Sequence, residues 1–348
     1  MASMKEVAKE AGVSVATVSH VLRGTKRVSE ELTERVRAAA AALGYVPNLQ
    51  ASALRTGRTQ TIGVLLPDLS NPFFVALLHA LAPAARTAGN VLMVYDAEND
   101  SALELAGLQR MAAGQVDGLI WVPVDLDAPH VVQRSNPNLP VVTIDRPVPE
   151  TDAVVADHVA GGRLVAEHLK QLGHSRVVLL SGPSELPSSR GRRRGFLEGF
   201  APGVPVWEAE TGFSHELSHQ AEQHLAGGGF DAVVCANDMV ALGVMRYLRA
   251  HGLSVPNDVS VVGFDDVAWA SLMEPPLTTV RQPLAALGAA AVRLLLERIA
   301  DPARATRRVV MPVELITRSS TTRPAASTRA GGAPAAGHGA VPNREERH

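Results

Sequence analysis

Two sets of residues in this chain could carry chemistry by their type and spacing. His215-Glu216-Leu217-Ser218-His219 spells H-E-x-x-H. On a helix, histidines at i and i+4 share a face and could hold zinc while the glutamate activates water, so a zinc-dependent hydrolase is one candidate. The run stands at the polar start of a helical pattern, and no glutamate lies between Glu222 and Glu274 to act as a distant third ligand. It therefore reads as a chance match on a solvated helix, and no metal site is expected. The second set is Asp145 and Asp265, each closing an apolar strand-like run. Two carboxylates facing one cleft would suit a ligand rich in hydroxyl or N–H groups; equally, each could cap a helix or satisfy a loop. Neither a G-x-G-x-x-G fingerprint nor a P-loop is present, and Cys235 is the single cysteine. That count excludes a disulfide scaffold and a cysteine zinc cluster. Cys235 itself ends a buried strand pattern and reads as core. No catalytic constellation stands, so the chain is not expected to be an enzyme, and no cofactor is implied.

The elements that would position the two aspartates follow from the patterning of the body. From Thr61 to about Met311, short apolar runs alternate with longer helical patterns, the mark of parallel α/β architecture. The body also repeats weakly. The runs at Thr61–Pro67, Val116–Ile120 and Pro140–Asp145 recur at Arg176–Gly182, Phe230–Val234 and Ser260–Asp265, roughly 115 residues later. This predicts two lobes, each a doubly wound parallel sheet, with ligand outside the carboxyl ends of the strands. Asp145 and Asp265 fall at matching strand ends.

Ahead of the body, residues 3–44 predict three short helices. Ser3 and Glu6 form a capping-box pattern, Ser14 and Ser29 can cap the second and third helices, and Gly12, Gly24 and Gly44 punctuate the ends. On the second helix Val18, Val21 and Leu22 cluster on one side. Ala16, Ser19, His20 and Arg23 lie opposite, with Thr17 at the margin. The apolar side would dock on the other helices, and the small polar side would fit a DNA groove, where Val15 and Ala16 allow close approach to base edges. A plain three-helix cap would also need one polar face.

Charge separates the two parts. Residues 1–60 hold nine lysines and arginines against five acidic residues, while the remainder holds 24 against 30. A basic head on an acidic body points to a polyanion as partner for the head alone. No run is long and apolar enough for a membrane span, and Met1–Gly12 has no apolar core of a secretory signal, so a soluble cytoplasmic protein is expected. Residues 318–348, rich in Ala, Gly, Pro, Ser, Thr and Arg, read as a disordered tail.

The run Lys5–Ser19, with Val28-Ser29-Glu30, Leu43–Asn48 and Leu54-Arg55-Thr56-Gly57, resembles the head of the lactose/galactose repressor family of transcription regulators. The ordered combination is specific, and the resemblance continues to about Thr317. It implies a helix-turn-helix DNA-binding domain over 1–46, a hinge helix and linker over 47–60, and a two-lobed effector-binding and dimerisation domain over 61–317. It implies a homodimer on a palindromic double-stranded operator, acting as a repressor under a small-molecule effector. DNA contacts would come from Val15, Ala16, Thr17, Ser19, His20 and Arg23, with Leu54 as an apolar wedge in the minor groove and Arg55 beside it. Effector contacts implied by the match are Phe73, Phe74, Arg190, Phe213, Asn237, Asp238 and Asp265, which join the strand-end Asp145 in a set suited to a sugar or sugar-like polyol. A solute-binding protein sharing the body would lack this head.

The chain also departs from the family. His20 stands where most members have Arg, although a purine-binding member also has His there, and Val15-Ala16 replaces that member's groove-facing Thr pair. Leu186 replaces the Arg with which that member holds its ligand, which argues against a purine. His158 follows Asp157 where Asn is usual.

Overall fold

The computed structural model describes residues 2–23, 28–45, 58–126, 136, 138–200 and 204–324. The chain forms two compact units that divide between Gln60 and Thr61.

The first unit contains helices α1 (Met4–Glu10), α2 (Val15–Arg23) and α3 (Glu30–Ala42). Their starts are fixed by the expected caps. Glu6 N–H donates to Ser3 Oγ at 3.3 Å while Ser3 N–H donates to the Glu6 carboxylate at 2.6 Å. Ser14 Oγ accepts from Thr17 N–H at 3.0 Å, and Ser29 Oγ from Leu32 N–H. Each such cap satisfies an N–H that the helix itself cannot. Val7, Ala8, Ala11, Val18, Val21, Val36, Ala39 and Ala40 form the core. Arg35 reaches back to donate to the Ala11 carbonyl at 2.6 Å, closing the end of α1.

The second unit is two lobes with the same plan. Lobe one orders its sheet β11-β5-β4-β3-β1-β2, from strands β1 (Thr61–Leu66), β2 (Val91–Asp96), β3 (Gly118–Trp121), β4 (Val141–Ile144), β5 (Asp152–Ala156) and β11 (Arg308–Met311). Lobe two orders its sheet β12-β10-β9-β8-β6-β7, from β6 (Val177–Ser181), β7 (Val206–Glu210), β8 (Ala232–Cys235), β9 (Ser260–Asp265), β10 (Thr278–Arg281) and β12 (Glu314–Ile316). The repeated runs occupy matching slots: β1 with β6, β3 with β8, β4 with β9. Every described strand pair is parallel except β10 with β12. The chain crosses between lobes after β5, after β10 and between β11 and β12.

Helices α4 (Pro72–Thr87), α5 (Ser101–Arg110) and α10 (Leu284–Ala300) serve lobe one. Helices α6 (His158–Leu172), α7 (Pro187–Gly199), α8 (His219–Gly227) and α9 (Asp238–Ala250) serve lobe two. The crossing of α6 and α7 matters most for the site. A Cβ on Gly195 would lie 1.9 Å from the Val159 carbonyl oxygen, and one on Gly162 would lie 2.1 Å from the Arg192 carbonyl oxygen. Only glycine lets the two backbones touch, and that contact sets the start of α6 beside the middle of α7.

The expected tail begins too early. Arg318 forms an ion pair with Asp266 at 2.6 Å, and Ser320 is fully buried. Its hydroxyl donates to the Val261 carbonyl and accepts from Thr278 N–H. The Thr322 carbonyl accepts from Ser260 and meets His174. Polar side chains paired with residues distant in sequence leave no periodicity, so composition alone reads this segment as tail. Residues 325–348 lie outside the described residues.

Candidate functional site

On α2 the burial follows the expected faces. Val18 and Val21 are buried, Val15 is 41% exposed, Ala16 is exposed, and Thr17, Ser19 and His20 are half-buried. Ala16, Thr17, Ser19 and His20 thus form a partly accessible surface of small and hydrogen-bonding groups. The side chain of Arg23, and the whole of Leu54 and Arg55, lie outside the described residues.

In the body, the strand-end aspartates meet at a buried polar line that crosses from one lobe to the other. Asp145 follows β4 and Asp265 ends β9; both have positive φ, 64° and 115°, and both are buried. His158, the first residue of α6, places Nε2 at 2.9 Å from Asp145 Oδ1. The approach lies off the hydrogen-bond axis, so both buried atoms lack an aligned partner. Arg192, from α7, donates Nε–H to His158 Nδ1 at 3.3 Å, Nη1–H to the Ala236 carbonyl at 2.6 Å and Nη2–H to Asp265 Oδ1 at 3.4 Å. Its guanidinium carbon sits 3.8 Å from the Phe264 ring centroid and 5.9 Å from that of Phe213. Gln282 donates to Asp265 Oδ1 at 2.8 Å.

The charge states follow from these contacts. An arginine Nε–H can only donate, so His158 Nδ1 accepts and the ring proton sits on Nε2, facing Asp145. Burial pushes the imidazole below its ordinary value against the pull of Asp145, and Arg192 adds to that downward push. Burial alone would raise the Asp145 carboxyl. His158, Arg192 and Arg146 overcome it and hold the group well below the usual carboxylate range. Burial pushes Asp265 up to about 7, although Arg192 and Gln282 act against the rise. The line therefore offers a fixed anion at one end, a carboxyl that titrates near neutrality at the other, and a guanidinium between them.

The remaining expected ligand residues are distributed differently. Arg190 is exposed and donates through Nη1 to the carbonyls of Ser184 and Glu185, at 3.0 and 2.6 Å. The arginine that lies among the carboxylates is Arg192. Asn237 is buried and caps α9, accepting from Val240 N–H at 2.9 Å, while its amide reaches toward the Phe213 carbonyl at 3.5 Å. Asp238 is fully enclosed: Val267 N–H and the Thr279 hydroxyl donate to its two oxygens at 2.9 and 2.5 Å. It pins β9 to its neighbours rather than facing the cleft. Burial and the nearby Asp265 push its carboxyl well above the ordinary range. Phe73 and Phe74, in the first turn of α4, are buried in edge-to-face contact at 5.2 Å. They belong to the apolar core. His158, Arg192 and Gln282 were not singled out from sequence as ligand residues. Arg192 had a signal, being four residues before the buried Phe196 and so on the same helix face.

The H-E-x-x-H reading fails on geometry. Helix α8 begins only at His219, capped by Ser218, so His215 and His219 are not one turn apart on a helix. His219 pairs instead with Gln223 at 2.9 Å. Among the described residues no cluster of three His, Cys, Asp or Glu side chains could hold a metal. Cys235 is buried, and burial pushes its thiol up, as befits a core residue rather than a nucleophile. No helix among the described residues is long and apolar enough to cross a membrane.

Comparison with known proteins agrees with this architecture. Residues 3–48 match the model of bacterial regulatory proteins of the lacI family, and residues 166–321 match a periplasmic binding protein-like domain. The chain is 34% identical to the HTH-type transcriptional repressor PurR of Aliivibrio fischeri, over 92% of this chain and 98% of that protein. It is 33% identical to the ribose operon repressor of Escherichia coli, over 92% and 100%. Its structure resembles a lac repressor dimer bound to operator and the anti-inducer ONPF, with TM-score 0.77 and 31% identity over 92% and 99% of the two chains. With the head, the two-lobed body and full-length similarity in agreement, the chain belongs to the lacI family of bacterial regulatory proteins and is a DNA-binding transcription regulator, not an enzyme.

Proposed function

We propose that the protein is a cytoplasmic homodimeric repressor that binds a palindromic operator and responds to a sugar or sugar-like polyol held between its lobes. The carrying observation is the polar line Asp145–His158–Arg192–Asp265, which joins the lobes through contacts that ligand hydroxyls can replace. Asp145 supplies a permanent acceptor, Arg192 a forked donor, and the half-buried Phe213 a flat face for the ligand's C–H surface. The ribose-operon and lac relatives support a carbohydrate; Leu186, where a purine-binding relative has arginine, weighs against a nucleobase. Ligand that exchanges with these contacts changes lobe closure and so biases the DNA-competent state. The bias equals its difference in affinity for the two states.

In the head, one α2 per protomer would enter the major groove of each half-site, with His20 reading bases and Arg23 close by. Leu54 and Arg55 would act at the operator centre. His20→Ala is expected to change the preferred half-site bases, at a cost of about 1–3 kcal/mol, measured by selection from a randomised operator library. Unaltered preferences would remove His20 from the readout. For the body, operator binding is measured while titrating neutral sugars and purine bases. A sugar-dependent change in operator affinity is expected. A response to purines with silence from every sugar would overturn the carbohydrate assignment.

A further inference from the structure

Beside the polar line opens a groove of about 960 Å³, walled by β5, β11, α6 and α7. It borders the site: His158 and Ser189 both line it, and Ser189 also lines the smaller pocket that holds Arg192 and Phe213. The groove is basic. Five arginines line it, against Asp157 and Glu198. Asp157 is occupied in capping α6 through Ala160 N–H. Arg163 and Arg194 share Glu198, and Arg193 is held by Glu208. Arg190 spends only Nη1, on two backbone carbonyls, so its Nε–H, Nη2–H and full charge remain.

The N-terminus of α7 meets this wall without a cap. Leu186 at the cap position has no side-chain oxygen to offer, and Pro187 follows it with no N–H. The N–H groups of Ser188 and Ser189 are then first-turn donors without intrahelical acceptors. An independent feature points the same way: Ser189 is 3% exposed, lines the groove, and its hydroxyl has no hydrogen-bond partner. A buried, unpaired hydroxyl costs stability unless something arrives to bond it.

We infer that the effector carries an anionic group, a phosphate or a carboxylate, seated at the α7 N-terminus by the Ser188 and Ser189 amides, the Ser189 hydroxyl and Arg190. This deepens the carbohydrate reading and rests on it. The uncapped helix end and the arginine favour negative charge, whereas Asp145 repels it. The ligand is thereby oriented, with its anionic end in the groove and its hydroxyls toward Asp145 and Asp265.

The test is calorimetric binding to the full-length protein of neutral sugars, their phosphate esters, their aldonic acids and inorganic phosphate. At least one ester or aldonate is expected to bind about tenfold or more tightly than its neutral parent, with inorganic phosphate competing. Which of the two anions gains identifies the source of the charge. Arg190→Gln and Ser189→Ala should each erase most of that advantage while the neutral parent keeps its affinity. Neutral sugars that bind as well as their anionic derivatives would overturn the anion seat and leave the carbohydrate reading standing. Inorganic phosphate that binds wild type but not Arg190→Gln, with every sugar silent, would support the seat and overturn the carbohydrate. Silence from phosphate and from all sugars would overturn both.

Discussion

Asp145 and Asp265 close equivalent strands of the two lobes, both in the left-handed region of backbone space and both buried. Non-glycine residues rarely hold such φ values, and aspartate is among those that do so most readily. The backbone device is thus the same, but the surroundings are not. Asp145 stands among His158, Arg146 and Arg192, which hold it anionic. Asp265 has one guanidinium contact at 3.4 Å and one amide donor, too little to offset its burial, and titrates near 7. The shared lobe plan sets a carboxylate at the same strand end in each lobe; the crossing helices decide its charge. Lobe one contributes the permanent anion, lobe two the carboxyl poised to exchange partners.

The largest effect should come from the cation shared by both ends. Arg192→Met keeps an unbranched apolar stem but removes the guanidinium that sits over Phe264, leaving Asp265 with Gln282 alone and Asp145 with less compensation. Removing one partner of a buried charge cluster is expected to cost about 3–5 kcal/mol, read from the urea midpoint at constant slope. A loss under about 1 kcal/mol would mean that the line is not held by charge, and the contrast between the aspartates would lose its basis.

Much of this arrangement was legible in the sequence because it rests on local chemistry. Ser3, Ser14 and Ser29 announce helix starts, and the repeated apolar runs announce two like sheets with aspartates at matching ends. The missing parts depend on residues distant in sequence. His158 acquires a role only where α6 meets α7, and that meeting turns on Gly162 and Gly195. The sequence points to Arg190 in place of Arg192 because four arginines crowd one helix; the face shared with Phe196 separates them. His215 and His219 spell a motif whose helix starts too late to form it.

A second, smaller effect separates the aspartates by pH. Asp265 binds its proton more tightly folded than unfolded, so its contribution is full at acid pH and is lost as pH rises from about 4 toward 7. That interval corresponds to at most on the order of 4 kcal/mol. Asp145 has the opposite sign: its contribution is present above the ordinary carboxylate value and is lost as pH falls below it. His158, whose imidazole is pushed down by burial, adds stability as pH rises toward its ordinary value. The wild-type curve mixes these slopes, and the difference from each variant isolates one. Asp265→Asn is expected to gain relative to wild type between pH 4 and 7, and Asp145→Asn to show no such gain. Urea unfolding across that range measures both, and parallel curves for the two variants would show that the ends behave alike.

The smallest effect tests the neutral donor that belongs to lobe two. Gln282 is buried and gives its amide N–H to Asp265 Oδ1 at 2.8 Å. Gln282→Leu leaves the volume nearly filled but removes that donor, which should cost about 1–2 kcal/mol. The loss must depend on pH, because an amide N–H stabilises a carboxylate more than a carboxylic acid. It should be small near pH 5, where Asp265 is protonated, and should grow as pH passes about 7, with the titration itself displaced upward. Folding stability measured on both sides of neutrality, with proton release followed in the same samples, reads the two consequences separately. A loss of equal size at every pH would assign Gln282 to packing alone. Asp265 would then titrate without its amide neighbour sensing the charge, and Arg192 alone would have to account for the difference between the lobes.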